Sequence, residues 1–172
     1  MNNKNLKIKL IKVNKILDVN FYTGSIRLGD LFEHYEVPIY VPWKSPCHAD
    51  SGYQRAPKDK RVENISDRTL LDVEDPQSFV DNINLNLRSE KAETYCKPVF
   101  IEDEDYGSFY MLEYIQELGN FQLVDGQTRV KGAEKAMHKA LDDGDYEKAQ
   151  IIEDTQVSIN LTFTEDVFVE AY

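Results

Sequence analysis

The sequence predicts an α+β fold, a mixed α/β domain with strands and helices along one chain. Several segments near the start and middle of the chain alternate apolar and polar residues, as half-buried strands do. Other segments repeat their apolar residues every three or four positions, as amphipathic helices do. A chain of 172 residues is long enough to bury a substantial core, and it predicts one domain over residues 1–172 with a flexible start at 1–6.

The strands are predicted from two kinds of pattern. Alternation predicts three of them, at 7–13, 79–87 and 157–163, and a strand that enters a turn is predicted at 21–26. Four more are predicted at 37–41, 97–101, 106–115 and 121–124, of which the first and last are short apolar runs. The acidic, glycine-containing segment at 103–107 supplies a hairpin turn between the second and third of these.

Helical spacing predicts helices at 27–35, 55–71, 129–141 and 146–152. Pro57 lies near the start of the second helix, where its missing N–H costs nothing. The third helix places its apolar residues on one face, which comprises Val130, Ala133, Ala136, Met137 and Ala140. A break at 142–145 separates it from the fourth helix.

The formal net charge of −11 argues against a domain that grips DNA over a broad face, because phosphate neutralisation needs an excess of Lys and Arg. The charge is nevertheless uneven along the chain. One basic cluster precedes the first acidic residue and comprises Lys4, Lys7, Lys9, Lys12 and Lys15, and a second comprises Arg55, Lys58, Lys60 and Arg61. A local anion site is therefore compatible with an acidic protein. Charge alone favours a solvated helix face for the second cluster over an anion-facing helix start.

Targeting and metal signals are not found in the sequence. No apolar run approaches the roughly 20 residues that span a bilayer, and the first 15 residues do not have the pattern of a signal peptide. Cys47 and Cys96 belong to no Cys/His ligand pattern, so no structural zinc and no metal-ligand residues are expected from them, and free thiols are typical of a cytoplasmic protein.

The segment that carries chemistry is a strand, turn and helix around Asp125. The first amides of a helix lack intrahelical acceptors and carry a partial positive charge, so they bind anions such as phosphates. Gly126 allows close backbone approach and a positive φ, and Arg129 could place a bidentate guanidinium on the same anion. Thr128 could cap the helix or donate its hydroxyl. Taken alone, the spacing fits an ordinary turn and cap better than a phosphate site.

The segment from Leu123 to Gly132, which contains Asp-Gly-Gln-Thr-Arg, resembles the signature of the DGQHR-domain family of DndB- and DpdB-type proteins. Two further blocks occur in the same order as in that family: Gly-Tyr-Gln-Arg at 52–55 with its following helix, and the predicted strand at 79–87. The resemblance covers roughly residues 20–165. It implies a single domain with a mixed sheet flanked by helices, similar to the ParB N-terminal domain and sulfiredoxin, which bind a nucleotide at the start of a helix.

The resemblance also implies a set of site residues. The phosphates of ATP or another nucleoside triphosphate would be held by Gly126, Gln127, Thr128 and Arg129, with Gln54 and Arg55 on the opposite wall. Asp125 would orient Arg129 or hold Mg²⁺ through water, so Asp125 and Arg129 are the candidate catalytic residues. The family's usual His is Thr128 here, which leaves it open whether the nucleotide is hydrolysed.

The implied function is an ATP-binding component of a bacterial or phage DNA-modification or defence system, with NTPase activity left open. Two alternatives also stay open: a DNA-binding transcriptional regulator of such a system, and a catalytically silent module that binds DNA-modification proteins. The chain is short beside typical family members, which is compatible with a truncated or minimal version.

Overall fold

The computed structural model describes residues 6–16, 19–38, 56–73, 81–89, 91–99 and 109–165. These residues form one eight-stranded mixed sheet and four α-helices. The predicted α+β fold is therefore confirmed. Residues 1–5 lie outside the described residues, and Leu6 of the predicted flexible start is already the first residue of the first strand.

The elements follow one another with the strands spread along the whole chain. The strands are β1 (Leu6–Ile16), β2 (Val19–Arg27), β3 (Tyr35–Glu36), β4 (Ile83–Leu87), β5 (Cys96–Val99), β6 (Phe109–Tyr114), β7 (Phe121–Asp125) and β8 (Gln156–Phe163). The helices are α1 (Leu28–His34), α2 (Asp59–Leu71), α3 (Gln127–Asp142) and α4 (Tyr146–Asp154). Two short 3-10 turns occur at Ala92–Tyr95 and Gln116–Leu118.

The strands lie in the order β3-β7-β4-β8-β2-β1-β6-β5. Two pairs of neighbours, β3 with β7 and β4 with β8, run parallel, and the other neighbours run antiparallel. β7 therefore lies beside β4, and the chain leaves β7 directly into α3. This junction is the predicted strand, turn and helix.

The alternation in β8 and the helical spacing in α3 both predict correctly which residues of these elements are buried in the core. Along β8 the residues Val157, Ile159, Leu161 and Phe163 are buried, and those between them are less so. The predicted apolar face of α3 is buried in full. Both sets belong to the one hydrophobic cluster of the described residues, so the start of α3 is anchored on the sheet by packing.

Asn86 shows how a polar residue is accommodated in the centre of the sheet. Its side chain is fully buried in β4, donates to the carbonyl of Thr164, and accepts from the Thr162 hydroxyl and the Thr164 amide. Buried polar groups that are hydrogen-bonded in this way cost little. Asn160 likewise donates to Asn84, so polar side chains link β4 and β8 where they run in parallel.

Two predicted boundaries are corrected. The helix predicted from residue 55 begins at Asp59, because Pro57 disfavours a helical conformation at Ala56 and Lys58 is extended. Tyr35 is the first residue of β3 and not the end of a helix, because it pairs in parallel with Phe121.

The predicted strand at 37–41 is not observed for Val37 and Pro38, and its remainder lies outside the described residues. The hairpin turn at 103–107 and the first residues of the strand predicted at 79–87 also lie outside them. Over the part of the chain that the structure describes, no helix is long and apolar enough to cross a membrane.

Candidate functional site

The junction between β7 and α3 has the backbone that an anion site requires. Gly126 adopts a left-handed conformation with φ 90° and serves as the N-cap residue of α3. The first intrahelical hydrogen bond runs from the amide of Val130 to the carbonyl of Gly126, at 3.0 Å. The helix thus begins at Gln127, two residues earlier than the spacing predicts, because the glycine itself ends the strand and reverses the chain.

Three of the predicted ligands therefore occupy the first turn of the helix. Gln127, Thr128 and Arg129 are its first three residues, and no acidic side chain lies among them. Thr128 is not the cap of the helix, because Gly126 holds that position and the structure has no side-chain cap there. The amides of such a first turn carry the positive end of the helix dipole.

Asp125 lies at the entrance to this turn. It is exposed, and its Oδ1 accepts a hydrogen bond from the amide of Gly126 at 2.7 Å. A carboxylate in this position interacts favourably with the positive end of the helix dipole, although it does not cap the first-turn amides of α3. A phosphate would therefore share the helix start with Asp125.

Arg129 does not extend into solvent as a free guanidinium. Its Nη1 donates to the carbonyl of Asp81 at 2.6 Å, and its Nη2 donates to the carbonyl of Asn82 at 3.2 Å. These two carbonyls precede β4, so Arg129 links the start of α3 to the start of β4. The side chain keeps its positive charge at the site, but two of its donors already serve the protein backbone.

A cavity of about 290 Å³ lies where α2 meets the first turn of α3. Thr128 and Arg129 line it from α3, and four residues of α2 line it from the other side: Arg61, Asn64, Ile65 and Arg68. Three of the six lining residues are arginines and none is acidic. In a chain with 31 acidic and 20 basic residues, this local excess of positive charge favours an anionic ligand.

α2 is held against α3 by close contact and by ion pairs. A Cβ atom at Gly132 of α3 would lie 2.4 Å from Cγ2 of Ile65, so only glycine allows the two helices this approach. On α3, Lys135 and Lys139 pair with Glu63 of α2, and Lys139 also pairs with Asp67 at 2.9 Å.

The charges of this helix pair affect each other's titration. Hydrogen bonds from Lys135 and Lys139 lower the pKa of Glu63 below its ordinary value. Hydrogen bonds to Glu63 and Asp67 raise the pKa of Lys139 in turn. Both shifts favour the charged forms, so the pairs persist at neutral pH.

The structure brings together only part of the predicted site. Asp125, Gly126, Gln127, Thr128 and Arg129 are contiguous at the start of α3, and Thr128 and Arg129 face the cavity. Gln54 and Arg55 lie outside the described residues. Within the described ranges, no three His, Cys, Asp or Glu side chains are close enough to hold a metal ion.

Sequence analysis left Arg61 on the surface and gave Asn64 and Arg68 no role. Arg61, Asn64 and Arg68 follow one another at intervals of three and four residues, which places all three on one face of α2. That signal was available in the sequence, but it does not reveal which helix this face approaches.

Comparison with known proteins identifies no relative of this chain: no family model, no curated protein and no solved structure matches it.

Proposed function

We propose that the protein binds a nucleoside triphosphate, ATP in the first instance, with its phosphates at the first turn of α3. The observation that carries the proposal is the cavity into which Thr128 and Arg129 face, lined by three arginines and no carboxylate. A polyphosphate matches such a site in charge, and helix amides and guanidinium groups are the donors that phosphates prefer.

Asp125 supports a role for Mg²⁺ with the nucleotide. Mg²⁺ bound to a nucleotide needs few protein carboxylates, because phosphate oxygens and water complete its shell. Only Oδ1 of Asp125 is used by the Gly126 amide, and the carboxylate is exposed, so its second oxygen could accept from a metal-bound water. Thr128 would donate its hydroxyl to a phosphate oxygen.

The resemblance to the DGQHR-domain family favours a role for this binding activity in a bacterial or phage DNA-modification or defence system. In that setting the protein is a nucleotide-binding component that acts with DNA-modification proteins. Thr128 offers a hydroxyl where the family has an imidazole, and a hydroxyl is a poor general base. We therefore propose binding as the function and treat hydrolysis as a separate measurement.

A thermal-shift screen of the whole chain with ATP, CTP and GTP, each with and without Mg²⁺, tests the proposal. A ligand at 100 times its Kd stabilises the folded state by about 2.7 kcal/mol, which raises the melting temperature by several degrees. We expect a shift with at least one triphosphate and a smaller one with its monophosphate. No shift with any triphosphate at millimolar concentration would reject nucleotide binding.

A second candidate function, DNA binding, is favoured by one observation. The four lysines of β1, Lys7, Lys9, Lys12 and Lys15, are exposed, and so are Ile11 and Val13 between them. A row of exposed lysines can contact DNA phosphates, although the net charge of −11 opposes it. A gel-shift titration at low salt decides the matter, and the absence of a shift with both promoter and random duplex removes this candidate.

A further inference from the structure

We infer that Arg61 and Arg68 of α2 are the guanidinium groups that grip the ligand's phosphates, and that the site therefore selects polyphosphates. This inference rests on the proposed function and assigns its main ligands to a different helix from the one that sequence reasoning favours. It starts from the hydrogen bonds of Arg129, which hold the backbone at Asp81 and Asn82.

Arg61 and Arg68 differ from Arg129 in having no such partners. Among the described residues, neither guanidinium makes a hydrogen bond or an ion pair, although both are exposed and both line the cavity. Arg27, by contrast, is tied to Asp30 and Asp154, as surface arginines of an acidic protein commonly are. The donors of Arg61 and Arg68 are therefore available to a ligand in the cavity.

The fold fixes the face of α2 on which these two arginines lie. Glu63 and Asp67 bind Lys139 along one side of the contact between α2 and α3. Val62, Ile65, Ser66 and Thr69 form the stripe between, and Arg61, Asn64 and Arg68 follow on the other side, at intervals of three and four residues. The ion pairs thus hold α2 in the rotation that turns Arg61 and Arg68 towards Thr128.

The spacing of the two arginines indicates more than one phosphate. Seven residues along a helix span about 10 Å, so Arg61 and Arg68 lie roughly two turns apart along the cavity. One phosphate group could meet both guanidiniums and the helix start only if the two arginine side chains converged on it. A chain of two or three phosphates is long enough and carries the matching charge.

The test compares the charge-neutralised double variant Arg61→Gln/Arg68→Gln with a matched control. Lys58→Gln/Lys60→Gln removes the same charge at the start of the same helix, from residues that do not line the cavity. Calorimetric titration with ATP, ADP, AMP and inorganic tripolyphosphate gives the affinities, and urea unfolding without ligand verifies that both variants fold.

We expect the control to bind like the wild type. Each arginine substitution should weaken ATP and tripolyphosphate by roughly tenfold or more, as loss of a charge-assisted hydrogen bond does. In the double variant, the affinity for ATP should fall towards the affinity for AMP. Arg61→Lys/Arg68→Lys should restore part of the affinity, because charge is kept and bidentate geometry is lost.

The outcomes separate this inference from the proposed function. Tight ATP binding that Arg61→Gln/Arg68→Gln leaves unchanged overturns the inference and leaves the proposed function standing. Binding of tripolyphosphate but not of ATP supports the arginine site and rejects the nucleotide. An equal loss in the lysine control shows a general charge effect and also overturns the inference.

Discussion

Gly126 is the residue on which the backbone of the candidate site depends. Its φ of 90° is one that other residues rarely adopt, and a Cβ there would lie 3.3 Å from both Ile83 Cγ1 and Arg129 Nη2. Gly144 provides a matched control, because it has φ 76° but nothing within 4 Å of a Cβ. Comparing alanine substitutions at the two glycines therefore separates the cost of backbone strain, present at both, from the cost of steric crowding, present only at Gly126.

We expect Gly144→Ala to lower the free energy of unfolding by about 1–2 kcal/mol, the cost of a left-handed alanine. Gly126→Ala should lose about 1 kcal/mol more, because the new methyl group crowds Ile83 and the Arg129 guanidinium. Urea unfolding of both variants measures the difference. Equal losses of unfolding free energy in the two variants would show that the Ile83 and Arg129 side chains move aside without an energetic cost.

At the scale of single residues, the glycine turn and the buried face of α3 were predicted correctly, but the partners of Arg129 were not. The glycine turn and the buried face of α3 follow from neighbours in sequence, and both are observed. The partners of Arg129 are carbonyls at Asp81 and Asn82, nearly 50 residues earlier. Periodicity carries no information about such a contact, so the role of this arginine could not be read from its own segment.

At the scale of elements, the approach of α2 to α3 depends on Gly132. Alanine normally stabilises a helix interior by about 1 kcal/mol relative to glycine. Here we expect Gly132→Ala to destabilise the protein by roughly 1–3 kcal/mol, because its methyl group would lie 2.4 Å from Ile65 Cγ2 and force the helices apart. Chemical denaturation of the variant gives the sign directly.

The double variant Gly132→Ala/Ile65→Ala serves as the control for this contact. Removing the Ile65 side chain beyond Cβ removes the 2.4 Å contact with Cγ2 but leaves Cβ of residue 65 at 2.6 Å from the new methyl group, so the relief is partial. Ile65→Ala should still cost less in the Gly132→Ala background than in the wild type. Additive losses would show that the helices already have room at this position. Nucleotide affinity should fall in Gly132→Ala, because the cavity lies between the same two helices.

Helix pairing also explains why half of the candidate site escaped sequence reasoning. The pattern predicted that α2 exists and where it ends, at Leu71. It did not predict that α2 packs on α3, since that choice depends on a glycine in one helix and an isoleucine in the other, 67 positions apart. Only this contact places Arg61 and Arg68 beside the first turn of α3.

At the scale of the whole molecule, β4 and β8 show what determines the order and direction of the strands in the sheet. They run parallel over five residue pairs, from Ile83 with Ile159 to Leu87 with Phe163. Each strand was predicted from its own pattern, but parallel pairing of distant strands is set by the way the connecting helices cover the sheet. The fold class was therefore predictable and the strand order was not.

The pH dependence of stability is a property of the whole fold. Burial raises the pKa of the Cys96 thiol to about 11, and burial also raises the pKa values of Tyr22, Tyr35 and Tyr114. A group whose pKa is raised by folding contributes stability that is complete below its unfolded pKa and is lost as pH rises towards the folded value. We therefore expect stability to fall above about pH 9, on the order of 1 kcal/mol per pH unit for each group that titrates.

At acidic pH the stability depends on pH in the opposite direction, because the groups concerned have lowered pKa values. The pKa values of Glu63 and Asp145 are lowered, by the Lys135 and Lys139 hydrogen bonds and by the Lys148 amide respectively. Their contribution is present above the unfolded pKa and is lost as pH falls through the folded value. Urea unfolding from pH 3 to 11 should give a plateau between about pH 5 and 9, with losses on both sides. Cys96→Ala should flatten the alkaline loss between pH 9 and 11, and an unchanged slope in that variant would show that the thiol remains in contact with water.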